Sequence, residues 1–170
     1  MDKGSKGGGW ADKLAALANK IPGYKGYAER AERREVDSIQ REYLAKRLTQ
    51  IKSVLQTVQE DCLAEGNLDA MEPCDRMGNK IDRLVERIRH ASRGYAGFFD
   101  AVKVNEEELA RIYEFDLALV VNVNSIEEGV QGLNTAIGDN FSGAVPALRS
   151  SLDELDSKLD ERDRVLKGVE

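Results

Sequence analysis

Two glycine-flanked aromatic segments carry most of the side chains in this sequence that could do chemistry. They cover residues 24–27 and 95–99, and the only histidine, His90, lies just before the second segment. Aromatic rings beside cationic and imidazole groups are typical of recognition pockets. The candidate binding residues are Tyr24, Tyr27, Arg89, His90, Arg93, Tyr95, Phe98 and Phe99.

The same aromatic residues have a second, structural interpretation. An aromatic side chain buries roughly 150–250 Å². The open end of a helical bundle needs such side chains to cover its core. The two segments could therefore form a lid over the core, a binding pocket, or both.

The residue types and their spacing argue against a metal, cofactor or catalytic site. A di-iron site in a helical bundle needs two Glu-x-x-His pairs, and this chain has one histidine. A zinc site from Cys62, Cys74 and His90 fails because His90 lies ~24 Å along a helix from Cys74. There is no P-loop, dinucleotide fingerprint or nucleophile elbow. We therefore expect no metal, no cofactor, no small-molecule substrate, no catalytic residue and no enzymatic activity.

Length and composition limit the class of protein. The chain has 170 residues, a net charge of −6 and a pI near 5.0. Nucleic-acid binding needs a basic surface that releases counterions, so we expect no nucleic-acid partner. No apolar run reaches the ~20 residues of a membrane helix, and residues 1–9 lack the apolar core of a signal peptide. We expect a cytoplasmic protein with reduced cysteines.

Heptad spacing predicts the helices that must position these residues. Residues 29–65 contain no proline or glycine, and apolar residues there recur in steps of three and four. Gly66 and Asn67 then predict a tight hairpin, and a second helix follows that ends near Gly94. The two seams consist of Leu44, Leu48, Ile51, Leu55, Val58 and Cys62, and of Cys74, Met77, Ile81, Leu84, Ile88 and Ala91.

Two further helices are predicted after the second aromatic segment. Asn105 and Glu108 have the spacing of a capping box, which predicts the start of the third helix. Gly143 is expected to interrupt the chain before the fourth helix, with Pro146 near its first turn. The seams are Leu109, Ile112, Leu119, Val123, Ile126, Val130, Leu133 and Ile137, and Val145, Leu148, Leu152, Leu155, Leu159 and Leu166.

These elements predict an all-α fold, an antiparallel bundle of about four long helices with coiled-coil-like packing. Residues 1–9 form a flexible glycine-rich leader, 10–27 a short amphipathic helix with an aromatic turn, and 28–170 the single bundle domain. The antiparallel hairpin places both aromatic segments at one end. We therefore predict that residues 24–27 pack directly against 95–99 near His90, and that Cys62 faces Cys74 across the hairpin.

Asp116 stands at a seam position of the third helix, between Ile112 and Leu119. A buried carboxylate is costly unless it is paired. Arg83 or Arg87 is a candidate partner. Alternatively, the apolar stripe rotates slowly around the helix axis, so that Leu117 and Val120 face the core and Asp116 lies at the edge of the seam.

Two family resemblances follow from these motifs. HASRGYAGFF (90–99) resembles the signature of histidine phosphotransfer domains, which implies His90 as a phosphoryl acceptor supported by Arg93 and Gly94. Over a longer stretch, IPGYKGY (21–27), RIRHASRGYAGFFD (87–100) and YEFD (113–116) resemble an uncharacterised family of bacterial helical-bundle proteins. That resemblance implies an all-α bacterial protein and brings no activity with it.

The sequence therefore favours a non-enzymatic protein-interaction or scaffold module, whose partner is another protein or a second copy of the chain. One alternative is a phosphorelay protein that uses His90. Another is an envelope-stress scaffold that makes weak peripheral contact with the inner face of the membrane through residues 10–21. Basic residues outnumber acidic ones up to Glu35, which suits anionic lipid.

Overall fold

The computed structural model describes residues 9–91, 94–138 and 140–168, and within these ranges every regular element is a helix. The prediction of an all-α fold is confirmed. The helices are α1 (Trp10–Lys20), α2 (Arg33–Ala64), α3 (Met71–His90), α4 (Ala96–Asp100), α5 (Glu106–Thr135) and α6 (Phe141–Lys167). Short 3₁₀ turns, Arg30–Glu32 and Leu68–Ala70, precede α2 and α3.

The predicted seams form the core of the bundle. The seam residues of α2 from Leu44 to Cys62 are all buried, and so are those of α6 from Val145 to Leu166. Gly66 adopts a φ of 76° after α2, and the Asn67 amide bonds the Cys62 carbonyl at 2.8 Å. The capping box at the start of α5 is confirmed, since Asn105 and Glu108 exchange both hydrogen bonds.

The helices differ from the sequence prediction in three respects. The helix α3 ends at His90, four residues before Gly94, and the short helix α4 was not predicted. The helix α6 begins at Phe141, so Gly143 and Pro146 lie inside it. Residues 141–145 are helical because this conformation buries both Phe141 and Val145 in the core. Pro146 is the sixth residue of α6 and is exposed, so its ring removes one backbone hydrogen bond of the second turn on the solvent side.

The two hairpins, α2 with α3 and α5 with α6, pack side by side. α2 contacts α5, α3 contacts α6, and α1 lies against α5. Each hairpin is antiparallel, whereas α2 and α5 run in the same direction. Asp37 on α2 and Asp116 on α5 both pair with Arg162. Ten residues further along α2 Arg47 pairs with Glu127, which lies eleven residues further along α5, so the two helices run in the same direction.

The connection between α3 and α5 crosses the end of the bundle. Because α3 and α5 occupy opposite corners, residues 94–105 must pass over the core between them. This passage places Tyr95 and Phe99 over the core, where both are buried. We call this end, which also holds residues 24–27, the aromatic end.

The two cysteines are free and buried. Burial raises the pKa of the Cys74 thiol to about 11, and Cys62 makes a smaller contribution to this increase. Both cysteines lie at buried positions of the α2–α3 hairpin, and the contact between them across the hairpin stays a prediction. No helix in the described ranges is long and apolar enough to cross a membrane.

Candidate functional site

Three charged residues occupy seam positions at the aromatic end. Asp37 on α2, Asp116 on α5 and Arg162 on α6 are all buried, although each stands where the heptad repeat requires a core residue. Together with Tyr24 and Tyr27 they form what we call the polar cluster. It is a layer of charge inside an otherwise apolar bundle.

Arg162 joins three helices through its guanidinium group. Its Nε donates to Asp116 Oδ1 at 2.7 Å, and its Nη2 donates to Asp37 Oδ1 at 2.9 Å. Only 3% of the Arg162 residue is exposed. Burial alone would lower the pKa of Arg162, but Asp116, and with it Tyr27 and Asp37, hold that pKa well above its ordinary value. Arg162 therefore stays charged inside the bundle.

The two tyrosines attach the N-terminal segment to this layer. The hydroxyls of Tyr24 and Tyr27 each donate to Asp116 Oδ2 at 2.7 Å. Arg162 Nη2 also donates to the Tyr27 hydroxyl at 3.1 Å. Burial, and after it the Asp116 carboxylate, raises the pKa of both tyrosines well above the ordinary value. Their hydroxyls therefore remain protonated donors.

Arg41 completes the charge balance. Its Nε donates to Asp37 Oδ2 at 2.8 Å, and its Nη1 donates to the Arg89 carbonyl at 2.7 Å near the end of α3. Two arginines thus face two aspartates. Buried charges are tolerated when they are paired and hydrogen-bonded in this way. The polar cluster is closed upon itself and ties α2, α5, α6 and the N-terminal segment together.

The two aromatic segments meet, as the topology predicts. The Tyr27 and Phe98 rings pack edge to face with centroids 5.5 Å apart. Tyr27 also stacks on Tyr113 at 5.9 Å, and its amide donates to the Tyr113 hydroxyl at 2.8 Å. Edge-to-face and offset pairs of this kind stabilise beyond the area that they bury. The aromatic segments therefore cover the end of the core.

Arg33 fastens the two segments to each other. It is buried, and its Nε donates to the Tyr27 carbonyl at 2.8 Å while its Nη1 donates to the Ala101 carbonyl at 2.7 Å. Burial lowers the pKa of Arg33. Among the described residues no carboxylate lies within ion-pair distance of this guanidinium. The charge is satisfied by backbone carbonyls instead.

Neither family models, nor curated proteins, nor solved structures match this chain.

The structure separates the predicted binding residues into two groups. Tyr24, Tyr27, Tyr95 and Phe99 are buried, Phe98 is half-buried, and Arg89 and His90 are exposed at the end of α3. The Tyr95 hydroxyl donates to Asp163, so it too is used internally. Arg93 lies outside the described residues. The aromatic residues thus turn inward, and the exposed cation and imidazole lie outside them.

His90 is the last residue of α3, and 63% of its side chain is exposed. Its Nε2 lies 3.4 Å from Glu86 Oε2. An exposed imidazole suits the phosphorelay alternative. A helix that ends at this residue, and a carboxylate beside the nitrogen that would accept a phosphoryl group, do not favour it, because like charges repel.

Asp116 is a buried seam residue paired with an arginine, as one of the two alternatives expects, but the arginine is neither Arg83 nor Arg87. Asp116 is fully buried, so it does not lie at the margin of the seam, and its partner is Arg162. Arg87 pairs instead with Asp156 and Asp160 on α6. The missed signal lies in the spacing, because the step of seven residues from Leu159 to Leu166 leaves one seam position between them, at 162, for a buried residue.

The same extrapolation identifies the polar cluster on α2. Continued from Leu44 towards the helix start in steps of four and three, the seam passes through Gln40, Asp37 and Arg33. All three are buried. A charge at a seam position of one helix, such as Asp37, together with an opposite charge at a seam position of another, such as Arg162, predicts an internal ion pair.

A groove lies between α1, α5 and α6. We call it the α1–α5–α6 groove. Its volume is about 430 Å³, and Leu117, Ala118 and Val121 form its floor. Ion pairs flank it, Lys13 with Glu114 at 3.2 Å and Lys158 with Glu154 at 3.8 Å.

Alkaline unfolding should report on the buried tyrosines. The pKa values of Tyr24, Tyr27, Tyr95 and Tyr113 are all raised, chiefly by burial. Below about pH 10 the tyrosines are protonated in both the folded and the unfolded chain. Above it the unfolded chain loses these protons first. The free energy of unfolding should then fall by up to about 1.4 kcal/mol per pH unit for each tyrosine.

Urea unfolding between pH 8 and pH 11 measures this slope. The double variant Tyr24→Phe/Tyr27→Phe removes two of the four groups, so its stability should fall less steeply above pH 10 than that of the parent. Equal slopes in both proteins would show that these two hydroxyls ionise as easily in the folded chain as in the unfolded one.

Proposed function

We propose that this chain is a non-enzymatic protein-interaction module that holds an amphipathic helix of a partner protein in the α1–α5–α6 groove. The observation that carries the proposal is the outward face of α5. Leu117, Ala118 and Val121 follow helical spacing there, outside the α5 seam, and 53% of Val121 is exposed. Apolar side chains at this spacing are what a helix-binding groove presents.

The sides of the groove support a helical partner. Each side carries an ion pair of one lysine and one glutamate, so a helix with mixed charge can pair with either sign. Polar rims around an apolar floor are typical of protein interfaces. α1 supplies one side, and the bonds of Tyr24 and Tyr27 to Asp116 fix the segment that follows it. The groove is therefore held open before any partner arrives.

The other candidate surfaces fit this function less well. The polar cluster has its hydroxyls and carboxylates bonded internally, so a ligand there would have to break buried hydrogen bonds. The apolar face of α1, which includes Leu17, packs into the core, and so does Ile21 directly after the helix. A membrane-surface role would require α1 to leave the bundle and expose that face.

Photo-crosslinking from position 121 tests the proposal. A photoreactive residue in place of Val121 should give discrete protein adducts in cells, whereas the same residue in place of Val102 should not. Val102 is a suitable control, since it is an exposed valine that does not line the groove. Val121→Glu should abolish association with the crosslinked protein, because it places a charge on the apolar floor.

Light scattering on the purified chain distinguishes the occupant. If the partner is a second copy, the mass of the parent should double with rising concentration, and that of Val121→Glu should stay monomeric. Absence of both adducts and self-association at position 121 would contradict the proposal. Association that survives Val121→Glu would move the interface elsewhere on the chain.

A further inference from the structure

A second cavity lies at the aromatic end, between the crossing segment, the start of α5 and the end of α6. We call it the end pocket, and its volume is about 290 Å³. Phe98, Val104, Ile112, Val165 and Leu166 supply apolar lining. This volume is close to the lower end of the range of small-molecule sites, which are mostly apolar with a few polar groups.

The walls of the end pocket are held in place independently of any ligand. Arg33 donates to the carbonyls of Phe98 and Ala101 at 3.2 and 2.7 Å, which fixes the crossing segment. The Asn105–Glu108 capping box fixes the first turn of α5. A preformed pocket loses little conformational entropy when a ligand enters.

Two of the three charged residues that line the end pocket are lysines. Lys103 and Lys167 line it, and neither forms an ion pair with another described residue. Lys167 lies along Gly94, where a Cβ would come within 3.2 Å of its Cε. Glu108 is the carboxylate among the lining residues, and its Oε2 already accepts from the Asn105 amide at 3.2 Å.

Arg33 adds a positive charge behind the crossing segment that forms one wall of the end pocket. It is buried, and carbonyl oxygens rather than carboxylates accept its hydrogen bonds. A charge in such surroundings is screened less than a charge in water. The pocket thus combines an apolar lining with two lysines and a buried arginine nearby, which fits a ligand with an apolar chain and one negative group.

We infer that the end pocket binds a medium-chain carboxylate, with its chain on Phe98, Val104 and Ile112 and its carboxylate beside Lys103 and Lys167. A short unbranched chain suits the volume. This site is separate from the α1–α5–α6 groove and does not depend on the function proposed for that groove.

Titration of the ¹⁵N-labelled chain with octanoate tests the inference. Glycine amides report the position, since Gly94, Gly97 and Gly168 line the end pocket while Gly78 and Gly129 lie along the helices away from it. We expect saturable shifts of the first three and none of the last two. Octan-1-ol, which lacks the charge, should bind more weakly than octanoate.

Two variants separate the apolar and charged contributions. Gly97→Leu should fill the pocket and abolish binding, since a Cβ at this position meets no other atom within 4 Å and the fold can accept it. Lys103→Gln/Lys167→Gln should weaken octanoate binding by about threefold to tenfold, the range that exposed ion pairs support, and leave octan-1-ol unchanged. Lys46→Gln, on the exposed face of α2, is the matched charge control and should bind like the parent.

Several outcomes would overturn the inference. Shifts that do not saturate, or that fall on residues 117–125 instead, would place octanoate elsewhere. Equal affinity for octanoate and octan-1-ol would remove the role of the two lysines. Undiminished binding by Gly97→Leu, in a variant whose spectrum shows the native fold, would remove the end pocket itself.

Discussion

Replacing Arg162 with methionine should lower the free energy of unfolding by about 3–5 kcal/mol, the cost of breaking a buried ion pair from one side. The change would leave Asp116 buried with two tyrosine hydroxyls and no cation. Asp37 would keep only Arg41. Because methionine fills a similar volume, the loss would come from charge and not from a cavity. Urea unfolding at neutral pH measures it.

Arg149→Met is the matched control for this experiment. Arg149 lies on the same helix and is exposed, so its replacement should change stability by no more than about 0.5 kcal/mol. The triple variant Asp37→Asn/Asp116→Asn/Arg162→Met should recover part of the loss, since it removes the unpaired charges as well. A single Arg162→Met variant as stable as the parent would show that the layer contributes no net stability.

Gly26→Ala should cost about 2–5 kcal/mol, the sum of a strained backbone and a steric clash. Gly26 has a φ of 91°, which disfavours any residue with a side chain. An added Cβ would lie 2.5 Å from the Tyr113 hydroxyl and 3.0 Å from Leu14 Cδ1. The Tyr113 hydroxyl cannot move away easily, because it accepts the hydrogen bond of the Tyr27 amide.

Gly66→Ala separates the two contributions. Gly66 also has a positive φ, 76°, but a Cβ there meets no other atom within 4 Å. Its replacement should therefore cost only about 1–2 kcal/mol, the backbone part alone. Thermal unfolding of both variants gives the difference. Equal losses at the two positions would mean that the packing of residues 24–27 on Tyr113 adjusts without cost.

The polar cluster has a consequence for how the bundle assembles. Heptad seams made only of leucine and valine can slide by a whole repeat and still bury apolar surface. A buried charge layer penalises each wrong register, because it would leave Arg162 or an aspartate without its partner. The layer also attaches the N-terminal segment, through Tyr24 and Tyr27, to the same register.

The sequence by itself determined the long helices, their seams and the turn between α2 and α3. These features are local, since heptad spacing, the Gly66 turn and the Asn105–Glu108 capping box involve residues close together in the chain. The meeting of the two aromatic segments also followed, because a hairpin must bring its two outer ends together. The short helix α4 and the early end of α3 were missed, since five residues carry no measurable periodicity.

Only the tertiary structure decided which helices are neighbours, and with them the polar cluster, the α1–α5–α6 groove and the end pocket. Every seam of this chain has the same repeat, so periodicity does not say that α2 lies beside α5 or that the connection after α3 crosses the end. Arg162 meets Asp116 across 46 residues and Asp37 across 125. Such pairings depend on helix order and register together, and these are fixed by the joint packing of all the helices.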